Sequence, residues 1–196
     1  GGYDFAVKIW DIQSGTCETT LDGHSTFIYA ADSTPDGRLV LTASIDGVLK
    51  IWDMNNLQSQ QEKQQHTDEV TCIAWMPGQS QILTSSMDKT IRTWDRRNFS
   101  CLNQFKGHQM EITAVASTQD GRFIVSTSWD FTIKIWDALT SDCIRTLKQH
   151  SPVTAMALNP NGKQGIFGFT NGSIQLLDLE TGKSTRNFTS HSDEVT

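Results

Sequence analysis

Residues 126–137 have the sequence Ser-Thr-Ser-Trp-Asp-Phe-Thr-Ile-Lys-Ile-Trp-Asp, in which the dipeptide Trp-Asp occurs twice. The second pair belongs to a series, because Trp-Asp also begins at positions 10, 52 and 94, and Leu177-Asp178 takes the next place. The five histidines, at 24, 66, 108, 150 and 191, keep the same spacing. Both series advance by 42, 42, 42 and 41 residues, so the chain is an internal repeat.

Four full units follow from this period. They comprise residues 15–56, 57–98, 99–140 and 141–181, flanked by fragments 1–14 and 182–196. Within a unit the apolar residues alternate with polar ones or form short β-branched runs, and helical spacing never lasts. Turn residues at fixed offsets, such as Asp46-Gly47 and Asn171-Gly172, separate these runs. Each unit is therefore predicted to form four short strands.

With Gly23-His24 and Gly107-His108 each followed by Trp-Asp, the chain resembles the WD-repeat β-propeller family over essentially its whole length. The resemblance implies an all-β fold, one propeller domain of four-stranded antiparallel blades within a seven-bladed ring. Fragment 1–14 would end a partial blade from its third strand onward, unit 141–181 would be degenerate, and fragment 182–196 would start a further repeat. Because the first residue is Gly and about three blades would be missing, we expect a longer protein.

The resemblance also implies a buried hydrogen-bonded chain from the Trp to a Ser or Thr eight residues earlier, then to the His and to an Asp six residues before the Trp. Its members would be Trp52, Ser44, His24 and Asp46 in the first unit, Trp94, Ser86, His66 and Asp88 in the second, and Trp136, Ser128, His108 and Asp130 in the third. The fourth unit has Leu177, Phe169, His150 and Asn171 instead. Since an unpaired buried polar group costs about 1–3 kcal/mol, the four residues are expected together or not at all. We expect the fourth unit to rely on packing and to be the least rigid.

Composition and charge exclude several classes of protein. The chain is 37% hydrophobic and 19% charged, as globular domains are, and has no run of the roughly 18 apolar residues that a membrane helix needs. The net charge of −6 argues against nucleic-acid binding, which depends on a basic patch. Of the four cysteines (Cys17, Cys72, Cys101 and Cys143), all but Cys72 recur at one place in three of the four units, which favours apolar fillers in a reducing compartment. We expect an intracellular protein, in the cytoplasm first, with nucleus or cilium as alternatives.

Ser, His and Asp recur together, as in a catalytic triad. The set of Ser, His and Asp occurs three times at the period of the repeat, each time at a fixed distance in sequence from a Trp, which instead indicates a structural role. Histidines on different blades do not form a zinc site, and neither a Gly-rich phosphate loop nor a His-Glu-x-x-His motif occurs. The sequence therefore predicts no catalytic, metal or cofactor site.

Candidate binding residues occupy two places per unit that the blade does not dictate, which the family resemblance puts around the mouth of the central channel. The first, just before the turn Asp, holds Tyr3, Ile45, Met87, Trp129 and Thr170. The second, three and five residues after the His, holds Phe27 and Tyr29, Glu69 and Thr71, and Glu111 and Thr113, with Pro152 and Thr154 in the shorter fourth unit. The bulky members predict an interaction patch, and the acids Asp68, Glu69, Glu111 and Glu194 favour a peptide carrying Arg or Lys. Alternatively, these side chains pack on one another or against a further part of the propeller.

The Gln-rich segment 58–65 stands where other units have their outer strand. We interpret it as a solvated edge strand protected by its polarity, with an edge covered by a partner as the alternative.

The leading functional interpretation is a non-catalytic scaffold that docks protein or peptide partners on the propeller rim and helps to assemble a larger complex, without nucleic-acid or membrane partners. Two alternatives stay open, a substrate-receptor subunit of a ubiquitin ligase and a regulatory propeller of a larger enzyme.

Overall fold

The computed structural model describes residues 4–64, 66–78, 80–189 and 191–196, and for residues 60–64 it describes the backbone only. The regular structure of these ranges consists of eighteen β-strands. Within the same ranges, no helix has the length and hydropathy that crossing a membrane requires. The prediction of an all-β fold is confirmed.

The strands pair in chain order into one two-stranded sheet and four four-stranded antiparallel sheets, named blades 1 to 4. The two-stranded sheet contains β1 (Val7–Trp10) and β2 (Cys17–Leu21). Blade 1 contains β3 (Ile28–Ser33), β4 (Leu39–Ser44), β5 (Val48–Asp53) and β6 (Gln58–Gln64). Blade 2 contains β7 (Val70–Trp75), β8 (Gln81–Ser86), β9 (Thr90–Asp95) and β10 (Cys101–Lys106). Blade 3 contains β11 (Ile112–Ser117), β12 (Phe123–Ser128), β13 (Thr132–Asp137) and β14 (Cys143–Lys148). Blade 4 contains β15 (Val153–Leu158), β16 (Gln164–Phe169), β17 (Ile174–Asp178) and β18 (Ser184–Phe188).

Sequence units and blades are offset by one strand. Unit 15–56 contains β2 to β5, so its first strand pairs with β1 and only its last three strands belong to blade 1. The outer strand of blade 1, β6, comes from the next unit. Every blade is thus completed by the following unit, which links consecutive repeats through backbone hydrogen bonds. The predicted four-stranded antiparallel blades are confirmed, while the seven-bladed ring stays a prediction.

The core lies between blades, where the face of one sheet packs on the next. Between blades 2 and 3, Leu83 and Ile91 share a buried cluster with Ile124 and Trp136. The second strand of blade 3 has little exposed surface on either face, because in β12 all five residues from Ile124 to Ser128 are buried. Burying one such apolar side chain stabilises by about 1.5–3 kcal/mol. Stacking of sheets therefore makes a large contribution to stability.

Antiparallel pairing gives each blade two distinct ends. The rim face has the loop that enters the first strand and the turn between the second and third strands. The opposite face has the loops between the first and second strands and between the third and fourth. First strands of neighbouring blades are tied together: in β11, Thr113 donates its hydroxyl to the carbonyl of Val153 in β15, 2.6 Å away.

Candidate functional site

A buried hydrogen-bonded chain connects the rim face of blade 3 to its core. The indole Nε1 of Trp136 donates to Ser126 Oγ over 2.8 Å. Ser126 Oγ lies 2.7 Å from His108 Nε2, and His108 Nδ1 lies 2.8 Å from Asp130 Oδ2. Since the carboxylate can only accept, Nδ1 carries the proton, Nε2 accepts from the serine hydroxyl, and all four groups are paired.

Blade 2 repeats the arrangement with a threonine hydroxyl. Trp94 Nε1 donates to Thr84 Oγ1 over 2.9 Å, Thr84 Oγ1 lies 2.6 Å from His66 Nε2, and His66 Nδ1 lies 2.8 Å from Asp88 Oδ2. In blade 1, Thr42 Oγ1 holds the same place, 2.9 Å from Trp52 Nε1 and 2.7 Å from His24 Nε2. Three successive blades therefore share the buried bonds that run from the Trp through the hydroxyl to the His.

The position predicted for the bridging hydroxyl was wrong. It lies ten residues before the Trp, at Thr42, Thr84 and Ser126, and not eight residues before it, at Ser44, Ser86 and Ser128. Alternate residues of a strand share a face, so both positions point toward the Trp. Trp136 lies directly opposite Ile124 in the ladder, and the diagonal neighbour Ser126 is within reach of its indole, whereas Ser128 stands two residues farther along.

The serines eight residues before the Trp instead hold the rim turn. Ser128 Oγ accepts from the backbone N–H of Asp130 over 3.0 Å and donates to the carbonyl of Met110 over 3.2 Å. Ser86 makes the corresponding bonds with Asp88 and Asp68. In blade 1, Ser44 donates to the Asp46 carboxylate over 2.6 Å. These serines are buried and fix the backbone on which the rim residues stand.

Burial and hydrogen bonding set the charge state of the blade 3 chain. Desolvation lowers the pKa of His108 and outweighs the opposing hydrogen bond and charge of Asp130. Burial acts to raise the pKa of Asp130, but hydrogen bonds from Thr132, the backbone of Gln109 and His108 outweigh it and leave the pKa below its usual value. A neutral imidazole beside a carboxylate is the state in which the chain of bonds is complete.

Blade 4 replaces this chain with apolar packing. Phe167 takes the place of the bridging hydroxyl and Leu177 that of the Trp, and both belong to a buried cluster with Phe169 and Val153. His150 is exposed, and Asn171 accepts hydrogen bonds from Ser173 within its turn. Hydrophobic side chains thus fill the space that polar groups occupy in the other blades. That blade 4 is the least rigid stays a prediction.

The two predicted sets of rim residues meet at one edge of each blade. The backbone N–H of Ile45, Met87, Trp129 and Thr170 donates to the carbonyl of Phe27, Glu69, Glu111 and Pro152 respectively, over 2.9–3.2 Å. Tyr3 lies outside the described residues, as does Gln65 of the Gln-rich segment, whose residues 58–64 form β6. Each bond places a residue of the first set beside one of the second.

The exposure of the rim residues is uneven. Trp129 is 38% exposed, Phe27 37% and Tyr29 56%, whereas Ile45, Met87, Glu69 and Glu111 are partly buried. Phe27 stacks at a tilt on Phe5, with ring centroids 5.3 Å apart. Asp68 and Glu194 are exposed. Aromatic surface is therefore concentrated on blades 1 and 3.

Three further exposed residues at the rim were not predicted from the sequence: Phe5, Met110 and Phe131. Phe131 follows the turn Asp in blade 3 and has a φ of 64°, and Phe5 holds the same place at 62°. Blades 1 and 4 have Gly47 and Gly172 there, both at 79°, and blade 2 has Lys89 at 68°. A bulky residue in this left-handed conformation is rare and costs free energy. The glycine that two of the five equivalent turns have at this place was the signal that could have marked both phenylalanines as unusual.

The recurring Ser, His and Asp do not form an accessible catalytic centre. Ser126 has no exposed surface, and His108 is 5% exposed. Among the described residues, no group of three or more His, Cys, Asp or Glu side chains is arranged to hold a metal ion. The hydrogen bonds of the chain pair polar groups that are buried, and this structural role accounts for the recurring residues.

The model of the WD domain, G-beta repeat, matches residues 15–53, 57–95 and 99–137, more than half of the chain. The chain belongs to the WD-repeat family. A model of the anaphase-promoting complex subunit 4 WD40 domain matches residues 148–196, which include blade 4. WD-repeat proteins generally act as scaffolds for protein interactions and are generally non-catalytic.

Three curated proteins are similar to short parts of this WD-repeat chain. Coronin-7 of Rattus norvegicus is 40% identical over 45 residues, which cover 23% of this chain and 5% of Coronin-7. Periodic tryptophan protein 2 homolog of Caenorhabditis elegans is 41% identical over 49 residues, 25% of this chain and 5% of that protein. Nuclear distribution protein PAC1 of Arthroderma otae is 40% identical over 43 residues, 22% of this chain and 9% of that protein. The matched segments thus span less than a tenth of each relative.

Proposed function

We propose that this WD-repeat protein is a non-catalytic scaffold that docks a peptide segment with basic and apolar side chains on its rim face and so helps to assemble a larger complex. The supporting observation is a group of apolar side chains on the rim of blade 3. Met110, Trp129 and Phe131 are 43%, 38% and 44% exposed. Exposed aromatic side chains in one region are typical of interaction sites.

Carboxylates beside this group support a basic partner. The carbonyl of Glu111 is bonded to the backbone N–H of Trp129, and Glu69 holds the same place in blade 2. The net charge of −6 adds a long-range attraction for positive ligands. An Arg side chain can pair with a carboxylate and stack on an aromatic ring at once, which suits this combination of residues.

The backbone of Phe131 gives independent support. Its left-handed conformation costs free energy that Gly47 and Gly172 avoid at the same turn. Backbone strain of this kind clusters at functional sites, where the function of the side chain compensates for the free energy that the strained backbone costs. We infer that the phenyl ring is retained for contact with a partner.

Selection from a random peptide library displayed on phage tests the proposal. We expect peptides selected on the whole chain to be enriched in Arg or Lys together with apolar residues. Their affinity should fall at least tenfold for Trp129→Ala and for Phe131→Gly, since each removes about 1.4 kcal/mol or more of contact. Affinity should also fall as salt is raised.

The matched control is Leu139→Ala, which removes an exposed apolar side chain from the opposite face of the same blade. It should leave the affinity unchanged. Selected peptides that bind Trp129→Ala as tightly as the unmodified chain, or that are predominantly acidic, would contradict the proposal.

A further inference from the structure

A polar cavity opens on the rim face, where blade 2 meets the loop that leads into blade 3. Its volume is about 380 Å³. The lining comes from the rim turn of blade 2 (residues 88–90), from Arg92 of β9, from Gln104 of β10 and from residues 106–108 of the loop, together with Thr67. This volume is at the lower end of the roughly 300–1,000 Å³ that ligand pockets have, so the cavity suits a small group.

Three cations line this cavity, namely Lys89, Arg92 and Lys106. The Arg92 guanidinium lies 3.6 Å from a carboxylate oxygen of Asp88, so these two opposite charges compensate each other. Lys89 and Lys106 are exposed, and neither forms an ion pair with any side chain that the structure describes. Within the described part of the chain, the cavity therefore has two positive charges without a carboxylate partner, in a protein whose net charge is −6.

The other blades do not have this combination of charges. At the places of Lys89, Arg92 and Lys106, blade 1 has one cation, blade 3 has two and blade 4 has none. In chain order, the residues at these places are Gly47, Lys50 and Gln64 in blade 1, Phe131, Lys134 and Lys148 in blade 3, and Gly172, Gln175 and Thr189 in blade 4. Because glycine or phenylalanine takes the place of Lys89 elsewhere, and glutamine or threonine that of Lys106, the repeat does not require either lysine. The two lysines of blade 2 are therefore available for a ligand.

Two lysines in one cavity favour a ligand with two negative charges and several acceptor oxygens. The Thr67 hydroxyl and the Gln104 side-chain amide, which also line the cavity, can donate hydrogen bonds to such a ligand. A phosphate monoester has a charge of about −1.5 to −2 at neutral pH and three strong acceptor oxygens. A carboxylate has a single negative charge and would leave one lysine without a partner. A phosphate group therefore fits the cavity better than an Asp or Glu side chain does.

The position of the cavity favours a phosphate that is part of a protein segment. Residues 106–108 lead directly to Met110, one of the exposed apolar residues on the rim of blade 3, so the cavity opens on the face proposed for docking. Membrane surfaces are recognised by clusters of about four to eight Lys or Arg residues, and nucleic acids by contacts to many phosphates. Three cations, of which Arg92 is already paired with Asp88, are few for either ligand.

We propose that this cavity is a second binding site, which takes the phosphate group of a phosphorylated serine or threonine in a partner protein. Lys89 and Lys106 pair with the phosphate oxygens, and Thr67 and Gln104 donate hydrogen bonds to them. The site is separate from the apolar group on blade 3, and it selects a dianion where that group selects basic and apolar side chains. Binding of such a partner thereby depends on its phosphorylation.

The probe is the tripeptide Gly-phosphoserine-Gly with both ends capped. Its binding to the ¹⁵N-labelled whole chain is followed through the backbone N–H signals by NMR. We expect saturable shifts at Lys89 and Gly107, which line the cavity. The same tripeptide with unmodified Ser should cause no shifts, and the one with Glu should bind at least tenfold more weakly. Raising the salt concentration should weaken binding of the phosphoserine peptide, because dissolved ions screen exposed charges.

Two variants of the protein each remove one charge from the cavity. Lys89→Gly introduces the residue that blades 1 and 4 have at this turn, where the φ of 68° suits glycine, so the variant should fold. Lys106→Gln introduces the residue that blade 1 has at the equivalent place. Each variant should weaken binding of the phosphoserine peptide at least fivefold. Lys148→Gln makes the same change at the equivalent place in blade 3, is the matched control and should have no effect.

Several results would overturn the proposal. Shifts that do not saturate, equal binding of the phosphoserine and Glu peptides, or an equal loss in Lys148→Gln would each show that the cavity does not select a phosphorylated side chain. Inorganic phosphate that binds at least tenfold more tightly than the tripeptide would assign the cavity to free phosphate. Binding to phosphoinositide vesicles without binding of the tripeptide would assign it to a membrane surface. Trp129→Ala should leave binding of the tripeptide unchanged, so failure of this proposal is distinguishable from failure of the rim proposal.

Discussion

Blades 3 and 4 have the same backbone but different interiors. Ile124 pairs with Trp136 in blade 3 as Gly165 pairs with Leu177 in blade 4, and the same N–H to carbonyl bond closes the rim edge of both. Inside, the Ser, His, Asp and Trp of the blade 3 chain correspond in blade 4 to a phenylalanine, an exposed histidine, an exposed asparagine and a leucine. A blade can therefore be held by paired polar groups or by apolar packing.

The replacement of the polar chain by apolar side chains in blade 4 is concerted. When Leu177 removes the indole N–H, the hydroxyl that would have accepted it is gone as well, because Phe167 stands in its place. Leaving one member of such a chain unpaired costs about 1–3 kcal/mol, whereas replacing the members together avoids that cost. Substitutions that mix the two interiors should therefore be the most damaging.

Trp136→Ala should have the largest effect, a loss of about 3–5 kcal/mol in the free energy of unfolding. It empties a buried site and leaves Ser126 without the N–H that it accepts. Urea denaturation measures the loss. An unfolding free energy within 1 kcal/mol of the unmodified chain would contradict a structural role for this Trp.

Ser126→Ala should cost about 1–3 kcal/mol, because it leaves the Trp136 indole and His108 without their shared partner. A double-mutant cycle of Ser126→Ala with Trp136→Phe should show an interaction energy, since both changes remove the same hydrogen bond. The same cycle with Ser128→Ala should be close to additive. An interaction energy with Ser128→Ala and none with Ser126→Ala would show that the bridging hydroxyl is that of Ser128, eight residues before the Trp.

Leu177→Trp should destabilise blade 4 by about 1–3 kcal/mol, through overpacking and an indole N–H without an acceptor. Adding Phe167→Ser supplies both space and an acceptor at the place equivalent to Ser126. We expect a favourable interaction energy between the two changes in urea denaturation. Strictly additive losses would mean that the two interiors are not alternatives at the same place.

Stability should fall as the pH is lowered from 7 toward 5, and His108 should contribute to the fall. Because the pKa of folded His108 is below the ordinary value of 6.5, the unfolded chain takes up this proton first. The contribution of His108 to the free energy of unfolding is complete above pH 6.5. It is lost as the pH falls from 6.5 to the pKa of the folded state. His108→Gln, although less stable overall, should flatten this part of the pH profile.

Trp129→Ala should have the smallest effect on stability, within about 1 kcal/mol, since the side chain is 38% exposed and the hydrogen bond to Glu111 uses its backbone N–H. The same substitution should weaken binding of the selected peptides. A loss of several kcal/mol would mean that the indole is part of the core.

Much of the fold could be predicted from the sequence because its signals are local and repeated. The period, the turn residues and the Trp specify short antiparallel strands, and the His and Asp of the buried chain are placed by loops of fixed length. The bridging hydroxyl could not be assigned by spacing alone, because residues eight and ten before the Trp share a strand face. Only the ladder register, with Trp136 opposite Ile124, decides between Ser126 and Ser128.

Other features depend on geometry that a linear pattern does not contain. Phe131 occupies a turn position where left-handed backbone favours Gly, so its conformation contradicts local preference. At the interface of blades 3 and 4, Leu147 lies where a side chain at Gly182 would have to go, and the sequence around Gly182 does not predict this contact. Both features require the packing of one blade on the next.

Hydrogen exchange of the tryptophan indole N–H groups, followed by NMR after transfer to D₂O and assigned with Trp→Phe variants, tests the central claim most directly. The signals of Trp52, Trp94 and Trp136 should persist, because their N–H groups are buried and bonded to Thr42, Thr84 and Ser126. The signal of Trp129 should disappear at once, although it belongs to an identical Trp-Asp pair. Rapid loss of Trp136, or protection of Trp129 equal to that of Trp136, would contradict the assignment of one Trp to the core and the other to the rim.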